Sequence, residues 1–183
     1  MAQLRDLQTP KRPTHLTPTD AVLQWVETFV LHHGLCPFAA TPWRKGLVTA
    51  EPLEAENIES LFYTALTRVQ SFVGKERSEV ETTLLVVPNL LETFDTFLDF
   101  VFTFEEALAE TGAAELVQLA HFHPDYQFED LEFEDRGNLT NRSPWPVIQL
   151  LRVESVAEAV AGHPDVEGVP ARNVRRMRQV GGG

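Results

Sequence analysis

The stretch TTLLVV at 82–87 constrains the fold more than any other part of this chain. Every position is apolar or β-branched, and polar and apolar side chains do not alternate. A strand of that kind has two dry faces, so it belongs inside a sheet with helices over both sides. Pro88 and Asn89 close it. Around it the hydrophobic period changes repeatedly. Val22, Leu23, Val26, Phe29 and Val30 recur at helical spacing behind a cap at Thr19 or Asp20, and Gly34 is placed to end that helix in a left-handed turn. Residues 35–46 read as an irregular connection and 47–49 as a short strand. A helix is expected over 54–72, with Ile58, Leu61, Phe62, Ala65, Leu66 and Val69 inward, and another over 94–110. Strands are expected at 115–123 and 146–153. Ser155 is placed to cap a short helix ending at 161, and Pro170 to open a last helix over 170–180.

This order predicts an α/β fold in a single domain. Its small sheet is mostly parallel or mixed, has helices on both faces, and carries a long polar loop between the last two strands. Those two strands have no helix between them and can pair antiparallel. Residues 1–18, with Pro10, Pro13 and Pro18 and few large apolar side chains, read as a flexible N-terminal arm. The domain is expected to fill 19–180, with a disordered tail at 181–183. A thioredoxin-like sheet has a similar element order. No Cys-x-x-Cys stands at the start of the first helix, so dithiol chemistry is not expected.

Charge narrows the partners. The chain carries 15 basic and 27 acidic residues, a net of -12. Such a surface repels phosphate backbones, which argues against nucleic acid. Residues 171–183 run against this trend, with Arg172, Arg175, Arg176 and Arg178 and no acid. That end either docks on the acidic body or meets an anionic partner. Cys36 stands alone, which excludes an internal disulfide and fits a reducing compartment. No apolar segment has the length of a membrane span or the placement of a secretory signal, so a soluble protein at a cytoplasmic address is expected.

The chemistry concentrates in one connection. Residues 121–146 read HFHPDYQFEDLEFEDRGNLTNRSPWP, whereas connections in compact domains usually run about 4–6 residues. His121 and His123 are two apart at the end of a strand, so both face one side. With Asp125, and with Cys36, His32 or His33 from elsewhere, they could hold zinc or iron. They could equally transfer protons without a metal, or simply order the strand end. Arg142, between Asn141 and Ser143, can clamp a carboxylate or phosphate bidentately, or can pair internally with Asp125 or Asp135. Asn138 offers a further amide. Cys36 is either a small buried hydrophobe or a nucleophile needing a base such as His121. Trp43 and Arg44 read as a surface loop with one docked aromatic or as the second wall of a pocket. Six acids between 125 and 135 alternate with Tyr126, Phe128, Leu131 and Phe133, the pattern of a lid pinned by its rings. No calcium loop, glycine-rich phosphate loop or nucleophile elbow is present.

LCPFA at 35–39, TTLLVVPNLLETFDTFLDF at 82–100, QLAHFHPDYQF at 118–128 and TNRSPWPVIQLLR at 140–152 together resemble the DUF1415 family. The resemblance covers nearly the whole chain beyond the arm. It implies a discrete single-domain family of small soluble bacterial and plastid proteins, and it assigns no catalytic role to any residue. Three functions stay open. One is a small enzyme acting on an anionic metabolite through His121 or His123, with Asp125 beside them and Arg142 holding the anion. The second is a non-catalytic ligand-binding or accessory protein using the same cleft, or the acidic face, for a partner. The third is a single-cysteine redox protein using Cys36. No cofactor is identified by any of these residues.

Overall fold

The computed structural model describes residues 12–180. The arm expected at 1–18 is therefore described only from residue 12, and the expected tail at 181–183 lies outside the described residues. Thr17, two positions before the expected cap at Thr19 or Asp20, caps the first helix, α1 (Pro18–Trp25), by accepting from the Asp20 N–H. Pro18 occupies the first turn, where its missing N–H costs nothing. The helix then widens into a π-helical turn, Val26–Leu31, and the chain turns at Gly34 with φ +58°. That left-handed value explains the glycine expected there. The segment read as irregular contains a short helix, α2 (Ala40–Arg44).

β1 (Val48–Pro52) precedes α3 (Ile58–Val73). α3 starts four residues later than its apolar pattern suggested, because Asn57 and Ser60 form a reciprocal cap. β2 (Thr82–Val86) is buried along its whole length. α4 (Phe94–Glu110) follows with the bounds its pattern gives, capped by Thr93. A 3-10 turn, Ala113–Glu115, leads into β3 (Val117–Phe122). The long connection holds a 3-10 segment, Arg136–Thr140, before β4 (Val147–Arg152). α5 (Val153–Gly162) starts directly after β4, without the expected cap from Ser155, and α6 (Val169–Gln179) closes the described chain.

The sheet order is β1-β2-β4-β3. β1 pairs parallel with β2, while β4 pairs antiparallel with both β2 and β3. Of the two sheets the sequence allowed, the mixed one forms. The connection from β3 to β4 supplies no crossover helix, so the chain reverses and β4 runs against both neighbours. Helices flank both faces. Leu85, Ile148 and Leu150 pack with α3 and α4 on one side, and Leu84, Val86 and Val147 pack with α1 on the other. Both faces of β2 are dry, as its sequence requires. A third, smaller cluster joins Leu35, Leu139 and Met177, and so seats α6 on the long loop.

Candidate functional site

β3 ends beneath α4. Its odd residues face that helix, so the rings of His121 and His123 both lie against Phe97, with centroids 5.9 and 5.1 Å away. Phe94 adds a contact to His123 at 5.6 Å and one to Tyr126 at 4.9 Å. Tyr126 in turn stacks on His121 at 5.7 Å. The strand period thus puts two imidazoles on one face, and the loop folds back to lay a tyrosine over one of them.

The two histidines do different work. His123 is 0 % exposed. Its Nδ1 accepts from the Asp125 N–H at 3.0 Å, so the ring proton sits on Nε2 and donates to the Leu91 carbonyl at 3.1 Å. Leu91 has φ +59°, a left-handed conformation that a residue with a Cβ rarely adopts and that costs about 1–3 kcal/mol. His123 therefore ties the end of β3 and the start of the loop to a strained turn ahead of α4. His121 is half-buried, and among the described residues its enclosed Nδ1 has no hydrogen-bond partner. Both ring nitrogens of His123 are already bonded, so it could ligate an ion only by giving up one of these bonds. Among the described residues, no group of three His, Cys, Asp or Glu side chains converges as a metal site.

Burial lowers the pKa of both imidazoles. At His123 the Leu91 carbonyl and Asp125 oppose that shift, while Arg12 adds to it. In the unfolded chain these rings titrate at about 6.5. Below that pH the unfolded state binds more protons than the folded one, so stability is full above pH 6.5 and falls as the pH drops toward the folded values. Urea midpoints taken on both sides of pH 6.5 test this. His123→Gln should flatten the dependence, and an unchanged slope would refute the assignment of His123 as a buried neutral anchor.

The loop holds itself through buried polar side chains. Arg142, 7 % exposed, donates Nε to the Tyr126 carbonyl at 3.0 Å and Nη2 to the Phe133 carbonyl at 2.7 Å, and stacks 4.4 Å over the Phe133 ring. These main-chain contacts stand where the sequence suggested ion pairs to Asp125 or Asp135. Burial lowers the Arg142 pKa, against the fields of Asp125 and Glu134. Asn138 accepts from the Phe128 N–H and donates to the Glu132 and Phe133 carbonyls. The buried Ser143 hydroxyl donates to the Trp145 carbonyl at 2.5 Å. The Asn141 carbonyl accepts from the His123 N–H, and the nearby Asn141 side chain opposes the rise that burial gives the Tyr126 phenol pKa. Asp125 is exposed at the rim. Phe133, at 44 %, is the most exposed of the rings expected to pin the lid.

α6 braces this loop from outside. Arg178 pairs with Asp135, at 2.6 and 3.0 Å, and Arg136 donates to the Met177 and Val180 carbonyls at the end of the helix. Arg172 pairs with Asp165, and Asn173 donates to the Leu35 carbonyl at 2.6 Å. Gly137 is required by the close approach: a Cβ there would meet Leu131 and Val174 at 2.8 Å. Three of the four arginines at the basic end thus have contacts within their own chain, with Arg176 donating to the His33 and Gly34 carbonyls.

The remaining expected site residues sit apart. Trp43 packs in the cluster on the α1 face, across the sheet from the histidine rings, and Arg44 is exposed, reaching Thr41 at 3.4 Å. Cys36 is half-buried, and burial pushes its thiol pKa up, so it stays protonated at neutral pH. Sequence reasoning missed Leu91, Phe94 and Phe97 as partners of the histidines. It also missed Arg12, which donates to the Pro144 carbonyl and stacks 4.0 Å over Trp145. No glycine marks the Leu91 turn, and Phe94 and Phe97 read as ordinary helix core.

Among the described residues, no helix is long and apolar enough to cross a membrane. No curated protein and no solved structure matches the chain. The family described as "Protein of unknown function (DUF1415)" matches residues 17–183, which takes in both strands of the site, the whole loop and α6; the chain belongs to the DUF1415 family.

Proposed function

We propose that the chain is a small enzyme acting on an anionic metabolite at the junction of β3 with the long loop, and that His121 is the group that moves the proton. One observation carries this reading. His123, Asn138, Arg142 and Ser143 all spend polar atoms on holding the loop, whereas His121 keeps an enclosed Nδ1 without a partner among the described residues. A buried unpaired nitrogen is costly, and such groups call for a specific reason. Burial keeps this imidazole neutral and able to accept a proton at neutral pH. Tyr126 lies on it with a phenol whose pKa is raised by burial, hence a standing O–H donor. The positive charges of Arg12 and Arg142 border the site and favour an anion, with Arg142 acting through its field and its hold on the loop. A second reading, non-catalytic ligand binding, draws support from the same commitment of His123 and Arg142 to structure. The protonated thiol of Cys36 works against the redox alternative.

Thermal-shift screening with small carboxylates and phosphates, followed by product analysis of the hits, tests the proposal. An enzyme should turn over a hit, and His121→Gln should abolish turnover while leaving binding within a few-fold. Binding without turnover in the parent chain selects the accessory reading. The absence of any hit removes both.

A further inference from the structure

The edges of the sheet differ. On β4, Pro146 turns its carbonyl toward β2, accepting from Val87, while Val153 turns its N–H toward β3, donating to Leu116. By alternation, β3 spends its even residues on β4 and points the N–H and C=O of Leu119 and His121 outward. Further along this edge, the His123 N–H is taken by the Asn141 carbonyl, and Val117 at the other end is buried. Among the described residues, no hydrogen bond reaches the outward groups of Leu119 or His121. The strand reads VQLAHF, without proline or formal charge, and its register has no bulge. It therefore lacks the devices that usually blunt an edge. β1, at the other edge, ends in Pro52 and carries Glu51 within 3.5 Å of both Arg68 and Lys75.

We propose that β3 pairs antiparallel with β3 of a second copy of this chain, about a two-fold axis at Ala120, joining two four-stranded sheets into one. The two outward residues fix that register. Leu119 falls opposite the partner subunit's His121, and His121 opposite the partner subunit's Leu119. Ala120 meets its own copy in a close pair, where Cα atoms approach to about 4.5 Å and a small side chain fits. Every main-chain group used is one left over in the single copy. The pairing is self-complementary and closes at two, which selects a second copy over an unrelated strand. A few main-chain bonds fall short of the roughly 1,200–2,000 Å² that a stable interface buries. The flank of α4 turned away from α3 supplies more, through Leu98 and Phe102, the latter 58 % exposed, while Phe100 and Phe104 on the other flank meet Phe62 of α3. Leu116, 56 % exposed, extends the apolar surface before β3. β3 itself is uncharged, so the repulsion between two chains of net -12 acts from outside the seam and weakens with salt. The partner subunit's Leu119 would also wall the His121 ring. The pairing uses main-chain atoms and stands independently of any role for that imidazole.

Sedimentation equilibrium on the full chain should give twice the chain mass, with association strengthening as salt rises. Ala120→Lys sets two ammonium groups face to face across the axis and should yield a folded monomer. In a Cys36→Ser background, Ala120→Cys should oxidise to a disulfide-linked dimer, whereas Gln118→Cys, placed opposite the partner subunit's Phe122, should not. If the lysine variant fails to fold, the cysteine pair still decides. A parent chain of single-copy mass overturns the proposal, as does a dimer that Ala120→Lys leaves intact or that cross-links equally through both cysteines.

Discussion

Phe97→Ala should lower the stability of this domain by about 3–5 kcal/mol, the usual cost of emptying a buried aromatic site. In a chain of this size, that corresponds to a fall in the thermal midpoint of roughly 10 °C. Phe97 is 0 % exposed, and its ring touches Phe94 and both histidines. The cavity would therefore open beneath the site, and the His121 and His123 rings would lose the wall that fixes their rotamers. Chemical denaturation measures the loss, and imidazole line widths in NMR spectra report the freed rings. A loss below about 1 kcal/mol would mean that the helix collapses onto the gap and that Phe97 is not the floor of this site.

Arg142→Ala should cost about 3 kcal/mol, because the Tyr126 and Phe133 carbonyls lose charge-assisted bonds, with Phe133 keeping the weaker one from Asn138. Arg142→Lys should recover only part of it, since an ammonium on a flexible stem cannot span both carbonyls as the planar guanidinium does. Hydrogen exchange should locate the damage at 124–141, with β1 and β2 still protected. An unchanged stability, within about 0.5 kcal/mol, would refute the anchor and return Arg142 to direct ligand contact as its main task.

How much of this was legible beforehand differs between fold and site. The interior strand at 82–86 was readable because two dry faces leave a continuous apolar run. α4 was readable at both ends because Thr93 caps it and Gly112, at φ +75°, follows its last turn. α3 was misplaced at its start because Asn57 and Ser60 cap each other within an acidic stretch that itself suits a first helical turn. The π-helical turn at Val26–Leu31 was not readable, since its apolar stripe fits an α-helix as well. The position of the site was readable from one over-long polar connection and from the period of two in His121-Phe122-His123. That β3 and β4 pair antiparallel then brings Arg142 beside Tyr126, whose ring covers His121.

By itself the sequence determined where the four strands and the longer helices lie, which strand is innermost, and which loop gathers the polar groups, because periodicity and turn residues are local properties of side chains. Only the tertiary structure decided what those polar groups do. His123 bonds the carbonyl of Leu91, Arg142 those of Tyr126 and Phe133, and Asn138 those of Glu132 and Phe133. Nearly every residue carries the same carbonyl, so no sequence pattern announces which one a side chain will reach. A histidine anchored to the main chain and a histidine with a nitrogen to spare therefore look alike until the chain has folded.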